Sequence, residues 1–353
     1  MPASDNHPLK FAFVGFRHSH IMALHSAVRA HPDLSIVANC EEDPATAEHL
    51  RREGDVTLTH SRLDHLLQDT DCDVVAVGDF YAARGRLVIA ALRAGRHVLA
   101  DKPICTSLAE LEEIASVARR NNLSVGCMLD LRASTPLRTM RRLIREGAIG
   151  EVHNVLFTGQ HPLLLGSRPG WYFEPGKHGG TINDIAIHAI DLLPWLTGRR
   201  LTRVHAARAW NQRARQYPHF QDGAQLMLEL DNGGGVIGDV SYLAPERCGY
   251  QAPQYWRFTC HGQAGVLEAS AQSRSVQLAT HDDKMPRIIE ASDAVSSYLP
   301  LEEFLQELRG DASDGSLATE SVLTASRQAL LIQQIADGGT GSACPRPLTP
   351  QVE

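Results

Sequence analysis

The stretch FAFVGFRHSHIMALHSAV, Phe11 to Val28, decides the first reading of this chain. Four apolar residues run into Gly15, and apolar residues at helical spacing resume by Ile21. That order reads as strand, tight turn and helix, the outline of the dinucleotide-binding loop G-x-G-x-x-G. A glycine at 15 permits the turn, and N–H groups at the following helix start can hold pyrophosphate at the positive end of the dipole. Arg17 stands at the second glycine position and His20 at the third. Gly15, Phe16, Arg17 and His18 are therefore candidate cofactor-binding residues, with Arg17 offering a cation where the motif has close backbone approach. The other reading is an ordinary turn in which Ser19 caps the helix.

Outward from that loop, short apolar runs alternate with amphipathic ones. KFAFVGF, LSIVANC, DVVAVGD, HVLADKP and LSVGCML read as strands, with helical segments such as PATAEHLRREG, GRLVIAALRAG and SLAELEEIASVARRNN between them. Strands spaced this way predict parallel β-α-β units, hence an α/β Rossmann doubly wound parallel sheet over residues 1–130. Ligands of such sheets sit at the carboxyl ends of the strands, which here carry Gly15, Glu41, Asp79 and Lys102, with Asp101 beside the last. Glu41, 26 residues after Gly15, stands where a carboxylate accepts the ribose hydroxyls of adenosine, although Glu42 and Asp43 also allow a solvated acidic cluster. No Arg or Lys lies between 39 and 50, which favours NAD over NADP. Lys102 precedes a proline, which keeps its backbone extended at the end of a buried strand.

After about Asp130 the pattern changes. A helix, PLRTMRRLIREG, leads into VHNVLFTGQH, then a helix near 180–197, and from Arg203 the chain alternates in the β manner, with a hairpin signal at DNGGG. Residues 131–353 are thus expected to form an α+β domain with a large, mostly antiparallel open sheet, closing in two helices and a frayed tail, 338–353. GGTINDIAIHAIDLLPWLTG places Asp184, His188 and Asp191 at i, i+4 and i+7 of a helix otherwise rich in Ile and Leu. Ionisable groups are seldom buried without partner or purpose, so Asp184 and His188 are catalytic candidates; a satisfied structural pair is the alternative.

Composition narrows the classes. The chain has 353 residues, 43% hydrophobic and 21% charged, with net charge −7, which suits a globular protein and offers no basic field for nucleic acid or membrane. The opening MPASDNHPLK has no apolar h-region, so no secretory signal is expected. Seven scattered cysteines without a C-x-x-C pair fit reduced thiols in a cytoplasmic protein.

Taken together these residues resemble the Gfo/Idh/MocA family, the glucose–fructose oxidoreductase and inositol dehydrogenase type. ALRAGRHVLADKP is similar to its ALxAGKHVxxEKP signature, with Asp101 for the usual glutamate, and GGTINDIAIHAIDL resembles its G-G-x-x-x-D-x-x-x-H-x-x-D segment. LIREGAIGEVHNV resembles the segment linking its two domains. The resemblance implies an NAD-dependent dehydrogenase acting on CH–OH groups of a sugar, polyol or sugar derivative. It implies that Lys102 and His188 are catalytic, with Asp184 orienting substrate or imidazole. Arg132, Tyr172, Lys177 and His178 are candidate recognition groups, and a homodimer or homotetramer through the C-terminal sheet is expected. DFYAAR, Asp79 to Arg84, departs from the family's T-P-x-x-x-H, so contacts at the nicotinamide side are open. Three further readings stand: a redox-neutral enzyme with tightly bound NAD, a non-catalytic NAD or sugar sensor, and a metal site at Asp184, His188 and His178. The family reading expects no metal.

Overall fold

A computed structural model describes residues 8–296, 298–313, 315–338 and 346–348. The chain forms two compact units, Met1–Met128 with Pro300–Leu323, and Leu129–Leu299 with Thr324–Glu353.

The first unit is built from β1 (Leu9–Val14), α1 (His20–Ala30), β2 (Leu34–Cys40), α2 (Pro44–Glu53), α3 (Leu63–Asp69), β3 (Val74–Val77), α4 (Tyr81–Arg93), β4 (His97–Ala100), α5 (Leu108–Asn121) and β5 (Val125–Cys127). Its inner strands β1, β3 and β4 are short apolar runs, buried on both faces along most of their length, as parallel strands covered by helices must be. They pair in parallel in the order β2-β1-β3-β4-β5. Phe11, Phe13, Ile21, Leu24, Val28 and Leu99 make the core on one side, and Leu301, Phe304 and Leu305 join it from the later helix α8 (Leu299–Arg309). Gly126 makes that packing possible: a Cβ there would lie 2.7 Å from both Leu99 and Phe304 side chains.

The second unit contains α6 (Thr135–Arg145), β6 (Val152–Pro162), α7 (Ile187–Thr197), and strands β7 (Leu201–Trp210), β8 (Gly223–Leu230), β9 (Gly235–Ala244), β10 (Arg257–Gly262), β11 (Gly265–Ser270), β12 (Ser275–Thr280) and β13 (Arg287–Glu290). The nine-stranded sheet runs β13-β12-β11-β10-β6-β9-β8-β7-β14, antiparallel except where β6 lies parallel to β9. Its last member, β14 (Arg346–Pro347), pairs with β7; 339–345 and 349–353 of the expected frayed tail lie outside the described residues. Helix α9 (Thr319–Asp337) follows α8 in the chain, and its Gln328 and Gln333 belong to this unit. One face of the sheet is buried through Val155, Phe157, Leu226, Val236 and Phe258. On the other, Leu156, Ile237 and Met227 stand exposed in register across β6, β9 and β8.

Candidate active site

In the parallel sheet the chain order reverses between β1 and β3, and a crevice opens beyond the carboxyl ends of two such strands. Gly15 turns out of β1 with φ +77°, and a Cβ on it would come within 2.6 Å of the Asp79 Cβ. The two strand exits therefore press against each other, and only glycine fits at 15. Arg17 crosses the gap: its Nε and Nη2 donate to the two Asp79 carboxylate oxygens at 2.5 and 2.8 Å, and its guanidinium lies 4.4 Å from the centre of the Phe80 ring. Helix α1 starts with no side-chain cap, so Ser19 does not play that part. In the first turn the Ile21 and Met22 N–H groups point to the His18 and Ser19 carbonyls at 3.4 and 3.1 Å, so what this helix start offers an anion is the positive end of the dipole.

Glu41 is buried at the end of β2, and burial pushes its carboxyl up from the ordinary range. Its Oε2 accepts the Phe16 N–H at 2.6 Å and its Oε1 the Asp43 N–H at 2.8 Å, so it braces the turn. Each oxygen keeps capacity for a further donor. The fold also brings Arg86 to Glu42 at 2.8 Å, a cation that the local sequence around β2 does not contain; its charge is already matched.

Beyond β4, Lys102 lies buried, with Nζ 5.8 Å from the Tyr81 ring centre. Arg84, which occupies the histidine position of the family's T-P-x-x-x-H, is wholly buried and holds this segment. It donates to the carbonyls of Gly78, Asp79, Lys102 and Pro103, and its Nη2 reaches Asp101 Oδ2 at 2.8 Å. The same carboxylate oxygen meets His18 Nδ1 at 2.5 Å. Burial alone would raise the Asp101 carboxyl, but Arg84 and His18 hold it well below the usual range. Burial lowers the His18 imidazole to about 4, against the pull of Asp101. The unit is thus a cation, an anion and a neutral ring donating Nδ1–H, with no net buried charge. Arg17 with Asp79, and Asp101 with Arg84, show that departures from the family pattern meet one another in space.

In the second unit, Gly180 has φ +92° and its Cβ position is filled by the Gln333 side chain, 2.1 Å away. Gln333 Oε1 accepts the N–H groups of Ile182 and Asn183, capping a π-helical turn, Ile182–Ala186, that leads into α7. The expected continuous α-helical stripe is therefore widened at Asp184 by that π turn, a feature residue spacing does not reveal. Asp184 Oδ2 accepts the Tyr242 hydroxyl and lies 3.5 Å from His178 Nε2, while His178 Nε2 stands 3.0 Å from the Tyr242 oxygen. Burial, with Asp184 beside it, raises Tyr242 well above the ordinary phenol range, so it stays a proton donor. Tyr172 packs 5.2 Å from His178 and takes a hydrogen bond from Arg168, whose guanidinium covers both tyrosine rings.

His188, on the first turn of α7, points its Nδ1 to the exposed Asp130 at 3.6 Å and sets its ring edge-on to Trp256. Two expected recognition groups have ion-pair partners within this unit. Arg132 is buried in a two-pronged pair with Asp191, at 2.8 and 2.5 Å, and Lys177 pairs with Glu174 at its own surface turn. Tyr242 was not legible as a partner of Asp184, nor Arg168 as the guanidinium over Tyr172 and Tyr242, because they come from other elements; a lone arginine in SRPGWYF gives no signal.

The chain from 9 to 128 matches the oxidoreductase family model described as an NAD-binding Rossmann fold, and 137–268 matches the GFO/IDH/MocA C-terminal domain. The chain belongs to the Gfo/Idh/MocA family of oxidoreductases. Its first unit is the NAD-binding Rossmann domain. Relatives include D-xylose dehydrogenase of Paenarthrobacter nicotinovorans, 25% identical over 51% of this chain and 50% of that protein. Inositol 2-dehydrogenase of Rhizobium meliloti is 25% identical over 83% of this chain and 88% of its own. The fold matches that of an inositol dehydrogenase homolog from Azotobacter vinelandii, complexed with NAD+, with TM-score 0.78 and 18% identity over 94% of this chain and 96% of that one. The match to the first relative spans only half its length. Gly15, the uncapped start of α1 and Glu41 fit a dinucleotide. No helix among the described residues is long and apolar enough to cross a membrane, and the six described cysteines are free thiols.

Proposed function

We propose that the protein is an NAD-dependent dehydrogenase that oxidises a carbinol carbon of a sugar, polyol or sugar derivative. The observation that carries this reading is that Lys102 and His188, 6% and 7% exposed, are both buried ionisable groups at family signature positions. The low-identity kinship with D-xylose and inositol dehydrogenases supports the substrate class.

NAD, when bound, supplies the hydride acceptor. Gly15, Phe16, Arg17, His18, Glu41 and Asp101 would hold it, with Arg17, oriented by Asp79, set against the pyrophosphate and Glu41 against the ribose. His188 takes the substrate hydroxyl proton as general base, and Asp130 favours the imidazolium that results. The Lys102 ammonium, in the first unit, supplies the positive charge that an alkoxide-like transition state calls for. Asp184, receiving the Tyr242 proton donor on one side and facing His178, accepts a substrate hydroxyl and fixes the ring. Tyr172 and His178 supply flat walls for it.

The apolar row Leu156, Ile237 and Met227, at 39%, 51% and 49% exposure, supports a homo-oligomer through this sheet. Free thiols support a cytoplasmic home. The test of the activity is NADH formation over a panel of sugars and polyols at several pH values, with NADP+ in parallel. NADH formed with at least one member, and a weaker response to NADP+, is expected. Substrate consumed with no NADH released would favour the redox-neutral chemistry instead.

A further inference from the structure

Among the described residues, one trio of potential metal ligands gathers: His18, His20 and Asp101, whose donor atoms all lie within 4.8 Å of one another. We propose that this trio is a binding site for a divalent transition-metal ion of the zinc type, set in the dinucleotide loop of the first unit.

The donor set suits that chemistry. Two imidazoles and a carboxylate favour zinc and its neighbours over magnesium or calcium, which prefer oxygen alone. Ligand atoms about 2.1 Å from a tetrahedral zinc stand about 3.4 Å apart, so the 2.5 Å His18–Asp101 contact must open to admit the ion and the widest separation of the trio, up to 4.8 Å, needs a closure. His20 can supply it. Its side chain is 58% exposed, whereas those of His18 and Asp101 are 5% and 1% exposed. The ion would thus meet a rigid floor and a movable third ligand facing solvent.

The floor is oriented as metal ligands usually are. Asp101 Oδ2 is held by Arg84, and its Oδ1 accepts the Lys102 N–H while lying 3.6 Å from His20 Nδ1. Such outer contacts fix a ligand's direction; Oδ2 already accepts from Arg84 and His18, so Oδ1, with a lone pair beyond the Lys102 N–H, is the oxygen that turns to the ion. The charge balance limits affinity. Arg84 already matches Asp101, so the ion gains little from the carboxylate charge and relies on the two rings. His18 now donates its Nδ1–H to Asp101; where that nitrogen becomes the ligand, the ring proton moves to Nε2, the imidazole stays neutral and its hydrogen bond to Asp101 is given up. An open, reversible site follows, one that a bound dinucleotide would cover. That last point alone rests on the proposed placement of NAD.

The experiment uses the full chain, freed of metal, titrated with Zn2+ alone against a chromogenic chelator. Wild type is expected to bind one equivalent. His20→Asn is expected to weaken it at least about tenfold, while His65→Asn, an exposed histidine elsewhere on the unit, leaves it unchanged. No binding in wild type, or equal affinity in His20→Asn, overturns the site. Should His20→Asn fail to fold, Co2+ added to wild type decides: a visible band distinct from the hydrated ion supports the site, and the hydrated-ion spectrum overturns it. Saturating NAD is expected to lower the apparent Zn2+ affinity. NAD affinity measured without zinc is a separate arm, so failure to bind NAD counts against the dehydrogenase reading and not against the metal site.

Discussion

Arg17 and Asp79, 62 residues apart, meet as a two-pronged ion pair where the strand order of the parallel sheet reverses. The pair occupies the place at which a pyrophosphate is expected, and it sets one attractive and one repulsive charge there. Removing the cation with Arg17→Ala should weaken NAD binding by about 1.5–3 kcal/mol, less so at high salt. Asp79→Asn should tighten it several-fold, since asparagine tolerates the φ of +75° at this position and the repulsion goes. Titration calorimetry at two ionic strengths checks both. Unchanged affinity in the arginine variant would mean the loop binds through backbone alone.

Acid should destabilise the first unit through His18. Its folded pKa is about 4, below the ordinary 6.5, so the unfolded chain takes up a proton that the folded one resists. The neutral ring's contribution is therefore fully present above pH 6.5 and is lost as pH falls toward 4, to a total of about 3 kcal/mol. Urea midpoints of wild type between pH 7 and 4 should fall more steeply than those of His18→Gln. Parallel curves would place the pH sensitivity elsewhere.

Phe304 on α8 tests whether the late segment belongs to the dinucleotide unit. It is fully buried against Gly126 and the β1 core. Phe304→Ala should cost about 3–5 kcal/mol of stability by loss of burial and creation of a cavity. A change below about 1 kcal/mol would show that the helix is dispensable to that core.

The parallel sheet was legible because its strands are continuous apolar runs punctuated by Gly15, Gly54 and Gly95. Glu41, Lys102 and His188 stand out by spacing and by resemblance, and the fold buries all three. The Arg17–Asp79 and His18–Asp101–Arg84 contacts were not legible, because partners 62 and 83 residues apart share no local pattern. Arg84 in FYAARGRL looks like a solvated helix residue, and only the tertiary fold shows it wholly buried. The π turn at Asp184 was hidden for another reason: its cap, Gln333, arrives from α9, and the local spacing reads equally well as plain helix.

The apolar row on the second sheet leads to a further expectation. Ile237→Lys places a charge at its centre, between Leu156 and Met227 in register. Light scattering after gel filtration should show wild type as a dimer or tetramer and the variant shifted toward monomer, with stability little changed because the site is half-exposed. A monomeric wild type would contradict the assembly.

The most direct test of the whole account is turnover beside NAD affinity for His188→Asn and Lys102→Met, using any substrate found in the panel. Loss of the general base should lower turnover about 10²–10⁴-fold, and loss of the positioned cation about 10²–10³-fold. NAD should bind His188→Asn as it binds wild type. Near-wild-type turnover in either variant would contradict the chemistry assigned to it. Lost folding in His188→Asn would make the imidazole a packed core group and leave only the dinucleotide fold standing.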